Sequence, residues 1–188
     1  MTSRHYAHIS RTALMLLLAA AMLAATGCSE DEPPALPTSP EDIGLQEVQV
    51  QAPDFTLPTL GGGEMTLSSL QGQIVLLNFW QIDCPPCKEE MPLLDAAGKA
   101  YSGVAAVVAL DIRDSEAKVQ QYFGDATLNM LVPLDLDARV AAEYSIGFTP
   151  TTFLIDSEGV IRYAKVGSFA SYSEVAAAIE FARLKDAE

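Results

Sequence analysis

Two cysteines three residues apart, Cys84 and Cys87, lie where an apolar run gives way to a helix-like one: Asn78-Phe79-Trp80-Gln81-Ile82-Asp83-Cys84-Pro85-Pro86-Cys87-Lys88-Glu89-Glu90-Met91-Pro92. A pair at that spacing is a dithiol/disulfide site or half of a metal site. The placement favours redox chemistry. A sulfur at or before the first turn of a helix faces unpaired backbone amides, which stabilise a thiolate. Cys87, three residues on, faces the same side and can reach it. Pro85 and Pro86 occupy early helical positions, where a missing N–H costs little, and they stiffen the loop. A structural zinc usually wants four Cys or His ligands. After residue 28 there is no third cysteine, and both histidines, His5 and His8, precede it, so no metal is expected. A disulfide across so short a loop closes little entropy. The pair therefore calls for a chemical explanation rather than a scaffolding one.

The elements that must position these sulfurs read as an α/β pattern. Ile74 to Trp80 is nearly continuous in apolar residues, as a strand covered on both faces should be. A helix is expected from the cysteines to about Tyr101, bent at Pro92, where an amide donor is missing. Val104 to Leu110 is a second buried strand. Ser115 to Phe123 is a helix with Ser115 as its N-cap, and Ala138 to Tyr144 is another. Met130 to Leu134 fits a short strand or an extended loop. Thr151 to Ile155 and Val160 to Val166 are strands around the turn Asp156-Ser157-Glu158-Gly159, and Ser173 to Leu184 is the last helix. Upstream, Ala52 to Leu57 and Glu64 to Leu67 read as a hairpin around Gly61-Gly62-Gly63. The glycines are not a phosphate loop, since no Lys-Ser/Thr follows them. The strand–helix–strand opening implies a parallel pair with a right-handed crossover. The late hairpin adds antiparallel strands, giving a mixed sheet between helices.

Charge and the N-terminus bound what this domain meets. The 188 residues carry 25 acids against 11 bases, a formal net charge of −14, and every acid follows residue 28. Nucleic-acid backbone binding needs clustered Lys and Arg, so a nucleic-acid partner is not expected. Electrostatic adhesion to an anionic membrane surface is equally disfavoured. Residues 1–27 run from basic to apolar to small, the order of a secretory signal peptide. The apolar stretch is shorter than the span of about 20 residues that crosses a bilayer. Thr26-Gly27-Cys28 resembles a bacterial lipobox, with Ala25 where leucine is usual; the resemblance implies a lipid on Cys28 and attachment to a membrane. A plain cleaved signal that leaves Cys28 as a spare thiol is the alternative. Residues 28–50 hold Pro33, Pro34, Pro37 and Pro40 among Ser, Glu and Asp, and are expected to form a flexible tether. If that segment is instead an ordered strap, Val48 and Val50 are the expected contacts. Residues 51–188 are the folded domain.

Residues 51–185 resemble the thioredoxin-fold proteins of the extracytoplasmic TlpA/ResA-like class, which includes membrane-tethered thiol–disulfide oxidoreductases, some serving cytochrome c maturation. Ala52-Pro53-Asp54-Phe55-Thr56-Leu57-Pro58-Thr59-Leu60-Gly61-Gly62, the run from Leu67 to Trp80, Cys84 to Leu94, and Gly147 to Ile161 carry the likeness. The resemblance implies a thioredoxin core with an N-terminal β-hairpin and a central insertion. It makes Cys84 the attacking sulfur and Cys87 the resolving one, cycling through a Cys84–Cys87 disulfide. Trp80 resembles the tryptophan beside the active-site loop. Phe148-Thr149-Pro150-Thr151 resembles the cis-proline loop facing the cysteines, with Thr149 offering backbone groups to an extended substrate. Asp114 resembles an acid placed beneath the cysteines, and Asp111 competes for that place. Asn78 stands where cytoplasmic thioredoxins have a buried aspartate, and it cannot accept a proton. Asp83, just before the first cysteine, departs from the usual uncharged residue. Its carboxylate disfavours a thiolate on Cys84, with Lys88 a partial offset, which tilts the expectation towards a reducing role. The implied partners are a protein disulfide or dithiol, apocytochrome c among them, and a membrane thiol reductase as electron donor. No organic cofactor is implied. A peroxiredoxin-like peroxide reductase and a non-catalytic binding module are the competing readings. The first lacks support because Gln81 and Trp80 precede Cys84 where a peroxidatic site has a threonine.

Overall fold

The computed structural model describes residues 37–187. The signal-like segment and Cys28 lie outside the described residues. Among the described residues eight strands form: β1 (Gln46–Gln51), β2 (Thr56–Pro58), β3 (Glu64–Thr66), β4 (Ile74–Trp80), β5 (Ala105–Ile112), β6 (Leu134–Asp135), β7 (Thr151–Ile155) and β8 (Val160–Val166). Four α-helices accompany them among the same residues: α1 (Pro85–Ala100), α2 (Glu116–Phe123), α3 (Arg139–Glu143) and α4 (Tyr172–Asp186). Six strands make one mixed sheet in the order β1-β8-β7-β4-β5-β6, and β2 with β3 forms a separate hairpin. β4 is parallel to β5 and antiparallel to β7. This is a thioredoxin-like α/β fold with an N-terminal hairpin and, between β5 and β7, an insertion that carries α2, β6 and α3.

β4 sits at the centre because every one of its seven residues is buried. Period-two alternation divides them between two cores. Ile74, Leu76 and Trp80 pack on the α1–α4 side with Met91, Leu94, Val175 and Ile179. Val75, Leu77 and Phe79 pack on the other side with Phe55, Leu57, Val140 and Tyr144. The polar Asn78 therefore faces the α1 layer, immediately below the cysteine helix. That helix continues through Pro92 as a single element. Its far end is held close to the insertion, where a Cβ at Gly98 would collide with the Asn129 carbonyl oxygen. Asp95 fixes that loop by accepting from the Asn129 amide at 2.6 Å and its side-chain Nδ2 at 3.0 Å.

The tether expected through residue 50 ends earlier. Asp42 accepts from the Thr38 and Ser39 amides at 3.1 and 3.0 Å, closing a 3-10 turn over Pro40–Ile43. β1 then pairs antiparallel with β8 as the sheet's edge strand. Ile43 and Leu45 are the buried anchors, whereas Val50 is 52% exposed and Val48 only half-buried. Composition misses this strap because an edge strand draws its stability from ladder hydrogen bonds to a distant partner, not from an apolar face of its own. The segment around 131 is an extended continuation of the sheet: Leu131 donates to Val107 O at 2.9 Å and Ala109 donates to Leu131 O at 2.8 Å.

Candidate active site

The site is built on the β4–α1 junction. Cys84 is the N-cap residue of α1, with Pro85 and Pro86 inside the first turn. Cys84 and Cys87 are joined in a disulfide. The Cys87 amide points at Cys84 Sγ at 3.3 Å. The open N-terminus of a helix thus bears on Cys84, which favours negative charge there once the bond is reduced. The two sulfurs are not equivalent. Cys84 keeps 8% of its surface open, and Cys87 has none. Its buried neighbours are those of the α1–α4 core.

Cys84 opens onto a cleft of about 330 Å³ whose lining includes Asp83, Pro85, Pro86, Arg113, Asp114 and Thr149. The Thr149–Pro150 peptide is cis, and the Thr149 carbonyl oxygen lies 3.5 Å from Cys84 Sγ. Pro150 itself is buried. Asp83 is exposed at the rim. Trp80 lies elsewhere than a client could reach. It is fully buried, donates from Nε1 to Ala109 O at 3.2 Å, and packs on Tyr122 and Phe123 of α2. Trp80 is thus a buried aromatic at the end of β4, where it supports the strand beneath the cysteines.

Three acids lie near the motif, each with its own hydrogen-bond partners. Asp114 lies on the cleft side, accepts from the Ile82 amide at 2.9 Å and is 3.5 Å from Lys118 Nζ. It braces the loop that leads into Cys84. Asp111 is wholly buried, accepts from the Asp114 amide at 3.0 Å with Oδ1, and leaves Oδ2 without a hydrogen-bond partner. Burial, reinforced by the neighbouring Asp114 charge, pushes its carboxyl up to about 7.

Glu90 is the third acid, and sequence reasoning passed over it. It is fully buried in α1, where it accepts from Asn78 Nδ2 at 2.8 Å and from the Phe169 amide at 2.9 Å. Burial pushes its carboxyl up to about 7 against those two hydrogen bonds and the charge of Lys165. Asn78 also donates to Thr152 Oγ1 at 2.9 Å. Lys165, itself buried, donates to the Ile43 carbonyl at 2.6 Å and sits 5.3 Å from the Phe169 ring centroid. Both signals were available. Glu90 is three residues past Cys87 and hence on the same helix face. Lys165 falls on the inward phase of β8 with Ile161 and Tyr163. The described residues contain no His/Cys/Asp/Glu cluster arranged to hold a metal ion.

Comparison with known proteins agrees with this geometry. Residues 48–164 match the AhpC/TSA family. Over 133 residues the chain is 39% identical to thioredoxin-like protein YneN of Bacillus subtilis, covering 69% of this chain and 77% of that one. It is 34% identical over 128 residues to thiol-disulfide oxidoreductase ResA of Bacillus cereus, covering 67% and 73%. A secreted Mycobacterium tuberculosis disulfide oxidoreductase homologous to E. coli DsbE superposes with a TM-score of 0.61 at 25% identity, covering 68% of this chain and 95% of that one. A paired CxxC at a helix start, one sulfur open and one enclosed, on this fold and with these relatives, places the chain in the AhpC/TSA family as a thioredoxin-fold thiol–disulfide oxidoreductase related to the extracytoplasmic ResA and DsbE proteins.

Proposed function

We propose that the protein reduces disulfides of client proteins outside the cytoplasm, held to a membrane by a lipid on Cys28. The Cys84 thiolate attacks one sulfur of a client disulfide, forming a mixed disulfide and releasing a client thiolate. Cys87 then attacks Cys84 Sγ, closes the internal disulfide and releases the second client sulfur. Two electrons pass to the client, and its thiolates take up two protons. A membrane thiol reductase restores the dithiol. The observation that carries this reading is the inequality of the sulfurs: Cys84 meets the cleft beside Thr149, and Cys87 is enclosed. Thr149 and Pro150 would receive the client segment, with Asp83, Pro85 and Pro86 shaping the approach.

Cys87 needs a proton acceptor, and Glu90 fits that role better than Asp114. Asp114 is already engaged by an amide and Lys118 on the cleft side. Glu90 lies one turn below Cys87 on the same helix face and changes charge near neutrality, where a base is most effective. Asp83 supports the reducing direction, since a carboxylate next to Cys84 opposes its thiolate.

Trapping tests the reading. The Cys87→Ser protein, expressed full-length in its native envelope, should accumulate mixed disulfides through Cys84, and their identification would show whether apocytochrome c is a client. Absence of any trapped species, or trapping that persists in a Cys84→Ser/Cys87→Ser double variant, would overturn the assigned roles. Mass measurement of the mature chain tests the lipid on Cys28.

A further inference from the structure

Beyond the cysteines, the cleft carries a charged side chain that neither the reaction nor the fold uses. Arg113 lies between β5 and α2 and lines the cleft at Cys84. It also lines an adjoining cleft of about 490 Å³ that runs past Gln81 and Ile112 to Ile146, Phe148 and Thr149. Its backbone is left-handed, with φ 69°. That conformation is natural for glycine and unfavourable for a long L side chain. The loop enforces it from both sides. The Arg113 amide donates to Asp135 O at 3.1 Å, and the next amide, that of Asp114, donates to buried Asp111 at 3.0 Å. The side chain is exposed and forms none of the ion pairs among the described residues. Arg113 thus combines a strained backbone, a place in the lining of both clefts and an exposed side chain outside those ion pairs, and strain of this kind concentrates at sites of function.

We infer that Arg113 is a specificity residue that selects client segments carrying a carboxylate close to the cysteine under attack. The inference rests on Cys84 being the attacking sulfur. Guanidinium recognises carboxylate in a planar, two-pronged manner. The chain as a whole carries −14, and its general field repels acidic clients. Beyond about 10 Å that repulsion is screened in physiological salt; of the two carboxylates that line the same cleft, Asp114 is engaged by the Ile82 amide and Lys118 and Asp83 lies exposed at the rim, which leaves Arg113 as the cation a docked segment can meet. Phe148 strengthens the choice of a peptide as occupant. It is 76% exposed on the residue before Thr149 and offers an apolar face to a strand-like client laid along that loop. Aspartate or glutamate next to cysteine, with an apolar residue reaching Phe148, is the client pattern that fits.

The test uses two disulfide-linked peptide dimers that differ only in having Glu or Gln on both sides of the cysteine. Single turnovers of the fully reduced protein are followed, in which Cys84 and Cys87 become a disulfide as the peptide disulfide takes up two electrons and two protons. The parent protein should favour the Glu peptide by about fivefold at low salt, a ratio typical of an exposed ion pair, through tighter binding rather than a faster chemical step. Salt should shrink that ratio. Arg113→Gly also relieves the backbone strain, so it should fold well, and it should bring the ratio near one. Arg113→Lys should recover part of it, and Arg113→Glu should reverse it. Equal turnover of both peptides by the parent, or an undiminished preference in Arg113→Gly, overturns the assignment of Arg113. The underlying reading fails differently: reduction of both peptides would then persist in Cys84→Ser.

Discussion

The two sulfurs are three residues apart on one helix, yet they inhabit opposite chemical surroundings. Around Cys84 lie exposed Asp83, two prolines, unpaired Arg113 and the Thr149 carbonyl. One turn further along the helix from Cys87, Glu90 belongs to a buried polar group in which Asn78 donates to both Glu90 and Thr152, with Lys165 buried nearby. The first set is largely open to solvent; the second is enclosed. The difference teaches that on one helix face burial deepens from the helix start to the next turn. The helix start leaves one sulfur partly open to the cleft and the next turn encloses the other, which is the asymmetry the proposed mechanism uses.

The sharpest break of that asymmetry is removal of one sulfur. Cys84→Ser should lose all exchange with insulin-type disulfides, whereas Cys87→Ser should still attack and stop at the mixed disulfide, visible on non-reducing gels. If the two variants behave alike, the division is false.

Next in size is the charge state of the buried side. Glu90 titrates near 7 in the fold against a usual 4.5. Between those values the unfolded chain has released the proton and the folded chain retains it, so stability falls as pH rises from about 4.5 to about 7. The loss is about 3 kcal/mol for this group by the usual conversion of pKa to free energy. Asp111 acts with the same sign from 3.8 to about 7. Urea denaturation at pH 5 and pH 8 should show the lower stability at pH 8, with a shallower dependence in Glu90→Gln. The same variant should flatten the rise in resolution rate through pH 7, slowing it about tenfold or more at pH 8. A fall in rate that is uniform across pH would point to a structural role alone.

A third test reaches the scaffold shared by both sides. Gly98→Ala would drive its Cβ into the Asn129 carbonyl and should cost about 2 kcal/mol, with thiol chemistry retained; an unchanged thermal midpoint would refute the tight approach. The smallest expected effect is Asp83→Asn. It should lower the Cys84 thiol pKa modestly and speed attack at pH 6, measured by iodoacetamide alkylation of the reduced protein. No change would mean that the Asp83 side chain is too well solvated to matter.

Legibility in the sequence followed the range of the interactions. The β4 run, the helix start at Cys84 and the Ser115 cap were readable because each depends on neighbours within a few positions. Ser115 Oγ does accept from the Lys118 amide, at 3.4 Å. The strap was misread because β1 is polar along most of its length and acquires its order from β8, more than 100 residues away. Trp80 was readable as an aromatic beside the active-site loop, but its partners Tyr122 and Phe123 lie on α2, which only folding brings over it.

Glu89 and Glu90 show where the boundary falls. They are adjacent, chemically identical and part of one helix, and one is exposed while the other is wholly enclosed. The chain alone determined that two sulfurs meet at a proline-stiffened helix start, because backbone amides, ring constraints and a one-turn spacing are local properties. Only the tertiary structure decided which glutamate loses its water, how far each sulfur is enclosed and that Arg113 lines the cleft. Desolvation is set by surfaces that arrive from distant parts of the chain, and no local pattern carries it.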